Sequence, residues 1–151
     1  MARKTRNQQP SSKVLTVDDL RVGIRKLSRR IDDLTSFDVN TIEERFDSSA
    51  GALTDKINIT LADIFGRDTP EYNDYSIYSL DTLPLVMGGP DHPLPEVREA
   101  YQKGINDEVT RLASLRETLE EKLKDLEAQE PAHEERDPSR TPPGNRQVFI
   151  V

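Results

Sequence analysis

Residues 95–128, PEVREAYQKGINDEVTRLASLRETLEEKLKDLEA, contain the longest uninterrupted apolar periodicity of the chain. Apolar side chains recur there every three or four positions, which is the spacing of one face of an α-helix. A helix of about thirty residues is roughly 45 Å long. The apolar face consists of Val97, Tyr101, Ile105, Val109, Leu112, Leu115, Leu119, Leu123 and Leu126. We expect other helices to cover this face.

A shorter apolar seam lies in residues 17–36, where Thr16 and Asp19 predict a capping box at the helix start. Its spacings alternate between four and three, as in the a and d positions of packed helices. The seam consists of Leu20, Ile24, Leu27, Ile31 and Leu34. We expect this seam to pack against the long helix in an antiparallel hairpin or bundle.

The short seam can cover only part of the long one. The uncovered part, around Leu119, Leu123 and Leu126, is expected to meet either the helix predicted at 48–65 or a second copy of the chain. Gly66 follows the 48–65 helix, at the position where a left-handed C-terminal cap is common. Self-association through helices is therefore one of two outcomes that the pattern predicts.

Two shorter segments also carry helix signals. Thr41 and Glu44 have the spacing of a second capping box, for a short turn or helix that carries Ile42 and Phe46. The pair Thr69-Pro70 predicts the start of a further small helix.

Three tyrosines accompany this small helix at spacings of three, which predicts that they share a helix face and close one end of the bundle. An alternative use is a ligand pocket formed by Arg67, Tyr72, Tyr75 and Tyr78.

Four regions follow from these patterns. Residues 1–15 are a basic, disordered tail, and 16–128 are a helical assembly or regulatory domain. Residues 129–147 form a charged, Pro-rich linker, and 148–151, VFIV, have the composition of a buried strand that opens a missing α/β domain. The predicted fold class is all-α, with a long C-terminal helix, disordered termini and an orphan terminal strand.

Composition limits the possible functions. The chain has no cysteine, no signal-peptide pattern and no apolar run long enough to span a membrane, so we expect a cytoplasmic protein. Residues 1–30 hold nine Lys or Arg and two Asp, which gives this part a net charge of +7. The remaining residues carry a net charge of −14, so the total for the chain is −7. Opposite charges favour packing or assembly of the two parts. The basic end lacks interleaved aromatics, so nucleic acid is not the expected partner.

No reaction chemistry is evident in the residues. His92 and His133 are far apart and lack carboxylates at ligand spacing, so we predict no metal site. Gly88-Gly89 lacks the Lys-Ser/Thr of a phosphate loop, and no serine has a histidine partner at a credible position. We therefore predict no catalytic residue and no cofactor for this chain.

Four stretches together resemble a known family: residues 20–34, 36–47, 61–72 and 146–151. The most distinctive is IFGRDTPEY within LADIFGRDTPEY at 61–72. The succession resembles the helical N-terminal region of bacterial predicted nucleotide-binding proteins with a TIR-like domain. The resemblance implies that the full protein is similar to TIR-type enzymes that consume NAD, often in antiviral defence. The catalytic residues of such enzymes would lie beyond Val151.

Three functions are compatible with the sequence. In the first, the chain is a non-catalytic module whose long helix associates between copies, so that linked TIR-like domains cluster. In the second, a pocket formed by Tyr72, Tyr75, Tyr78 and the loop at 81–95 binds a nucleotide signal and transmits it through the bundle. In the third, the chain is a stand-alone adaptor, and Phe149-Ile150-Val151 adds as a strand to a partner's groove.

Overall fold

A computed structural model describes residues 11–85 and 91–129, and all regular secondary structure within these ranges is helical. The predictions for residues 1–10 of the tail, for 86–90 of the loop at 81–95, for 130–147 and for 148–151 lie outside the described residues. The all-α fold class with a long C-terminal helix is confirmed. The elements in chain order are α1 (Val17–Ser36), a 3₁₀ turn (Val39–Thr41), α2 (Ser48–Phe65), α3 (Pro70–Tyr75) and α4 (Leu94–Gln129).

Helices α1 and α4 form an antiparallel hairpin. Arg21 near the start of α1 lies 2.6 Å from Glu127 near the end of α4, and Arg116 donates to the Ser28 hydroxyl at 2.9 Å. Further along, Arg98 donates to the carbonyl of Ile42. At 1.5 Å per residue α4 is about 54 Å long and α1 about 30 Å, so the segment after α1 runs along the first half of α4.

The start of α1 has the predicted capping box. The Asp19 backbone N–H donates to Thr16 Oγ1 at 3.1 Å, and the Thr16 N–H donates to the Asp19 carboxylate at 3.0 Å. The Thr16 backbone N–H, which donates to the ionised carboxylate, is the main cause that lowers the pKa of Asp19, and the Thr16 side chain adds to it. Both interactions are local, which is why three residues of sequence were enough to predict them.

Helix α2 joins the hairpin at a point of close approach on α1. Gly23 is buried, and a Cβ atom there would lie 3.4 Å from the Ile64 side chain of α2 and 3.5 Å from that of Leu119 on α4. The three helices therefore meet at one level, where a methyl group on residue 23 would make ordinary van der Waals contact with both neighbours.

The core runs through this three-helix arrangement. Its largest fully buried side chains are Leu20, Leu27, Leu34, Ile42, Ile57, Leu61, Ile105, Leu112 and Leu119. Ile31 is also buried, whereas Ile24, Leu123 and Leu126 are half-buried against the cluster. The far end of α4 is thus only partly covered within the chain: Leu119 is buried, whereas Leu126 lines an open cavity with Leu20 of α1 and Phe65 of α2.

The segment between α1 and α2 differs from the prediction. Asp38, not Thr41, caps a 3₁₀ turn by accepting from the Asn40 N–H, and the Thr41 hydroxyl donates back to the Asp38 carbonyl. Ile42 then has an extended conformation and no helix follows until Asp47 caps α2. The prediction of a capping box at Thr41 is therefore wrong, because its hydroxyl donates to the Asp38 carbonyl three residues earlier.

The connection around α3 is confirmed in part. Thr69 caps α3 with Pro70 in its first turn, as predicted. Gly66 has φ 90° and ψ 144°, which is not the left-handed helical conformation that was predicted, and Asp68 has the left-handed φ of 64° instead. Helix α3 ends at Tyr75, so the prediction that Tyr78 shares its face is wrong.

Residues 11–15 belong to the tail that the sequence predicts to be disordered, and they have no regular secondary structure. The Ser12 hydroxyl donates to the Glu71 carboxylate at 2.8 and 3.0 Å, and Leu15 is half-buried against the core. The apolar character of Leu15 explains its place beside Leu126, since burial removes both side chains from water.

Candidate interaction cleft

An open cleft of about 460 Å³ lies where the start of α2, the segment after α3 and the first half of α4 meet. We call it the aromatic cleft. Its walls carry two large apolar side chains that are mostly exposed, Phe46 at 71% and Tyr78 at 94%. The full lining is Phe46, Asp47, Ser48, Ala50, Gly51, Ala52, Thr54, Asp55, Tyr78, Ser79, Leu80 and Tyr101.

Arg45 connects the two loops beside the cleft. Its Nε donates to the Asp81 carboxylate at 2.8 Å, and Nη2 donates to the carbonyls of Leu83 and Pro84, each at 2.9 Å. The Asp81 side chain is only 4% exposed, so the ion pair is largely shielded from water. Arg45 also lies 5.4 Å from the centre of the Phe46 ring. These contacts hold the segment that carries Phe46 against the segment that follows Tyr78.

Helix α4 holds the same two loops from the other side. The Tyr101 hydroxyl donates to the Arg45 carbonyl at 2.6 Å, and the Thr82 hydroxyl donates to the Ala100 carbonyl at 3.0 Å. Burial raises the pKa of Tyr101, which keeps the hydroxyl protonated and able to donate. The sequence pattern predicts Tyr101 as part of the apolar seam. Its hydroxyl group is the one feature that indicates a hydrogen bond in addition.

Gly104 allows the segment after α3 to reach α4. A Cβ atom at this position would collide with the Leu80 carbonyl oxygen and lie 2.9 Å from the carbonyl carbon. The contact brings Leu80, which is 2% exposed, into the core beneath the cleft. The glycine is therefore required by a close backbone approach.

The lining of the aromatic cleft has an acidic character. It includes the carboxylates of Asp47 and Asp55, and none of its residues is basic. Asp47 also accepts from the Ala50 N–H and the Ser49 hydroxyl as the cap of α2. A phosphate group would meet like charge here, whereas a cation would meet both carboxylates and aromatic faces.

The predicted four-residue pocket is divided in the structure. Tyr72 and Tyr75 are half-buried, and the Tyr75 ring stacks on Phe65 with 6.5 Å between centroids. Arg67 is exposed, and Tyr78 lies on the wall of the aromatic cleft. The structure therefore brings Tyr78 together with Phe46 and Tyr101 rather than with the α3 tyrosines.

A buried ion pair was not foreseen. Glu108 is 3% exposed, and its Oε1 accepts from Arg111 Nη1 at 2.9 Å, while Oε2 has no hydrogen-bond partner within the described residues. Arg111 also donates to the Asp74 carbonyl and lies 5.4 Å from the Tyr75 ring centre, which fixes α3 against α4. In the sequence, the burial of Glu108 is indicated only by its spacing of three and four residues from Ile105 and Leu112 of the apolar seam.

Glu108 makes the stability of the fold depend on pH. Burial raises the pKa of its carboxyl group, and Arg111 opposes this only in part. A raised pKa means that the folded chain binds the proton more tightly than the unfolded chain, so the contribution of Glu108 to stability is largest below its ordinary value of 4.5 and is lost as pH rises through the folded pKa.

The variant Glu108→Gln should therefore become more stable relative to wild type as the pH rises from about 4 to 8, because Gln carries no titrating proton. Urea unfolding followed by circular dichroism at several pH values measures this difference. Glu120→Gln, at an exposed position of the same helix, is the matched control. If the difference in free energy of unfolding between wild type and Glu108→Gln does not change with pH, burial does not raise the pKa of Glu108 and the prediction is wrong.

The predicted assembly seams lie mostly inside the chain. Leu20, Leu27, Ile31 and Leu34 of α1, with Leu112 and Leu119 of α4, are buried, while Ile24, Leu123 and Leu126 are half-buried. Their contacts stabilise the monomer, so they leave little area for a second copy. The large apolar side chains that remain exposed in the described residues are Val14, Val22, Phe46, Ile59, Tyr78 and Leu85.

Between 11 and 85 and between 91 and 129, no group of three or more His, Asp or Glu side chains is placed to hold a metal ion. Within the same ranges, no helix combines the length and the apolar character that crossing a bilayer requires.

Comparisons of the chain with protein-family models, with curated proteins and with solved structures find no match.

Proposed function

We propose that this chain is a non-catalytic assembly and regulatory module of a cytoplasmic, TIR-like bacterial defence protein that consumes NAD. The assembly part rests on one observation: Phe46 and Tyr78 are exposed on a cleft whose backbone is held by Arg45, Tyr101 and Gly104. Exposed aromatic side chains on a well-anchored backbone are typical anchors of protein interfaces, because they bury a large area at a small entropic cost.

The TIR-like part rests on the resemblance of residues 61–72 and the surrounding helices. In the proteins that the chain resembles, the α/β domain follows the helical region. Association of helical modules would then gather those domains, because linkage raises their effective concentration. Helix α4 would separate an assembly surface near Tyr101 from a domain beyond Gln129, since the part of the helix between these two residues is about 42 Å long.

Light scattering of the chain over a concentration series tests the assembly part. We expect the weight-average mass to rise with concentration above the 17.1 kDa of one copy, and Tyr78→Ala to reduce the rise. The control is Val14→Ser, which also removes an exposed apolar side chain, 87% exposed, but at the other end of the hairpin. A chain that stays monomeric at every concentration would overturn self-assembly.

A further inference from the structure

The chemistry of the aromatic cleft selects a cationic partner. Tyr78 presents an almost fully exposed ring, and the Asp47 and Asp55 carboxylates line the same cleft. Phe46 already has the Arg45 guanidinium 5.4 Å from its ring centre, so an arginine–aromatic contact exists at the edge of the site. Planar guanidinium groups stack on aromatic faces and pair with carboxylates, which makes arginine the side chain that fits best.

The same chain carries a surface of the opposite charge on α1. Arg25 and Arg29 are exposed and four residues apart, so they lie on one face of the helix. Other cations of α1 are engaged: Arg21 pairs with Glu127, Lys26 with Asp63 and Arg30 with Asp33. Within residues 11–85 and 91–129, Arg25 and Arg29 have no carboxylate within 4.0 Å.

These arginines do not reach the cleft of their own copy. Arg25 lies at the level of Lys26, which pairs with Asp63 near the end of α2, and Arg29 lies further along, beside Ile59 and Thr60. The cleft begins at the first turns of α2, beside Gly51. Along α2, Arg25 is thus about 18 Å and Arg29 about 12–14 Å from Gly51, and within the described residues neither forms an ion pair with Asp47 or Asp55 of its own copy. A contact between the arginine face and the cleft therefore joins different copies.

We propose that the Arg25–Arg29 face of α1 in one copy docks in the aromatic cleft of the next copy. The inference rests on the proposed assembly function and names its contact. Because the two surfaces differ, the contact is heterologous. The copy at one end of an assembly then keeps a free arginine face and the copy at the other end a free cleft, so a further copy can add at either end. The contact should weaken as salt is added, since exposed charges are screened.

A complementation experiment tests the contact. One variant, Arg25→Glu with Arg29→Glu, loses the arginine face and keeps the cleft. The other, Tyr78→Ala with Asp55→Lys, loses the cleft and keeps the arginine face. All four positions are exposed, and the helical circular dichroism and the melting temperature of each variant are compared with wild type to confirm folding.

Each variant alone is expected to remain at 17.1 kDa under conditions in which wild type grows. An equal mixture should give particles of twice that mass and no larger, because only one productive pair of surfaces remains. The control Lys122→Glu with Lys124→Glu changes the net charge by the same amount as Arg25→Glu with Arg29→Glu, but on exposed positions of α4. It should assemble as wild type does.

The outcomes separate the two proposals. If both variants assemble as wild type does, self-assembly stands and the arginine–cleft contact is overturned. If each variant fails but the mixture stays at the mass of one copy, a head-to-tail contact is overturned as well. If wild type itself does not associate, the proposed function falls, irrespective of the variants.

Discussion

Alanine at position 104 is expected to destabilise the fold by about 1–3 kcal/mol, the usual cost of inserting a group into a filled site. Alanine normally stabilises a helix relative to glycine, by about 1 kcal/mol. Here the new methyl group meets the carbonyl of Leu80, a backbone atom that no side-chain rotation can move aside. The clash therefore outweighs the gain in helix propensity. Chemical denaturation followed by circular dichroism measures the change.

Gly51→Ala is the matched control, because Gly51 lies in α2 and a Cβ atom there has no neighbour within 4 Å. This substitution should stabilise the chain by about 0.5–1 kcal/mol, so the two alanines are expected to act in opposite directions. Gly104→Ala should also loosen the segment that carries Tyr78 and so reduce self-association. Equal effects of the two substitutions would refute the close approach of Leu80 to α4.

Leu112→Ala is expected to destabilise the chain by about 2–5 kcal/mol, the range for truncation of a fully buried leucine. The side chain of Leu112 is 0% exposed at the centre of the core. Such a loss is a large part of the 5–15 kcal/mol by which most domains of this size are stable. The midpoint of urea denaturation measures it.

Leu123→Ala on the same helix provides the comparison. Leu123 is half-buried near the end of the hairpin, so part of its side chain already contacts water and its truncation should cost clearly less. Two leucines of one apolar seam are thus predicted to differ in their effect on the free energy of unfolding. Similar losses for both would mean that the core extends evenly to the end of α4.

The helices could be predicted from the sequence because their signals are local. Thr16 with Asp19, Thr69 with Pro70 and the three- and four-residue spacings of leucine act within a turn of the chain. The predicted spans 17–36 and 48–65 match the observed helices, and 95–128 differs by one residue at each end. The error at Thr41 has the same local origin, since two overlapping cap signals competed and that of Asp38 prevailed.

The aromatic cleft and the burial of Glu108 arise from contacts between residues far apart in the chain. Tyr78 joins Phe46 because Leu80 packs against Gly104 and because Arg45 donates to the Asp81 carboxylate of the same loop. No periodicity reports such contacts, since helical spacing specifies which face is apolar but not what covers it. The residues alone thus established the helices and their apolar faces. Packing between distant segments established the interface chemistry, because burial and pairing depend on neighbours that only the folded chain brings together.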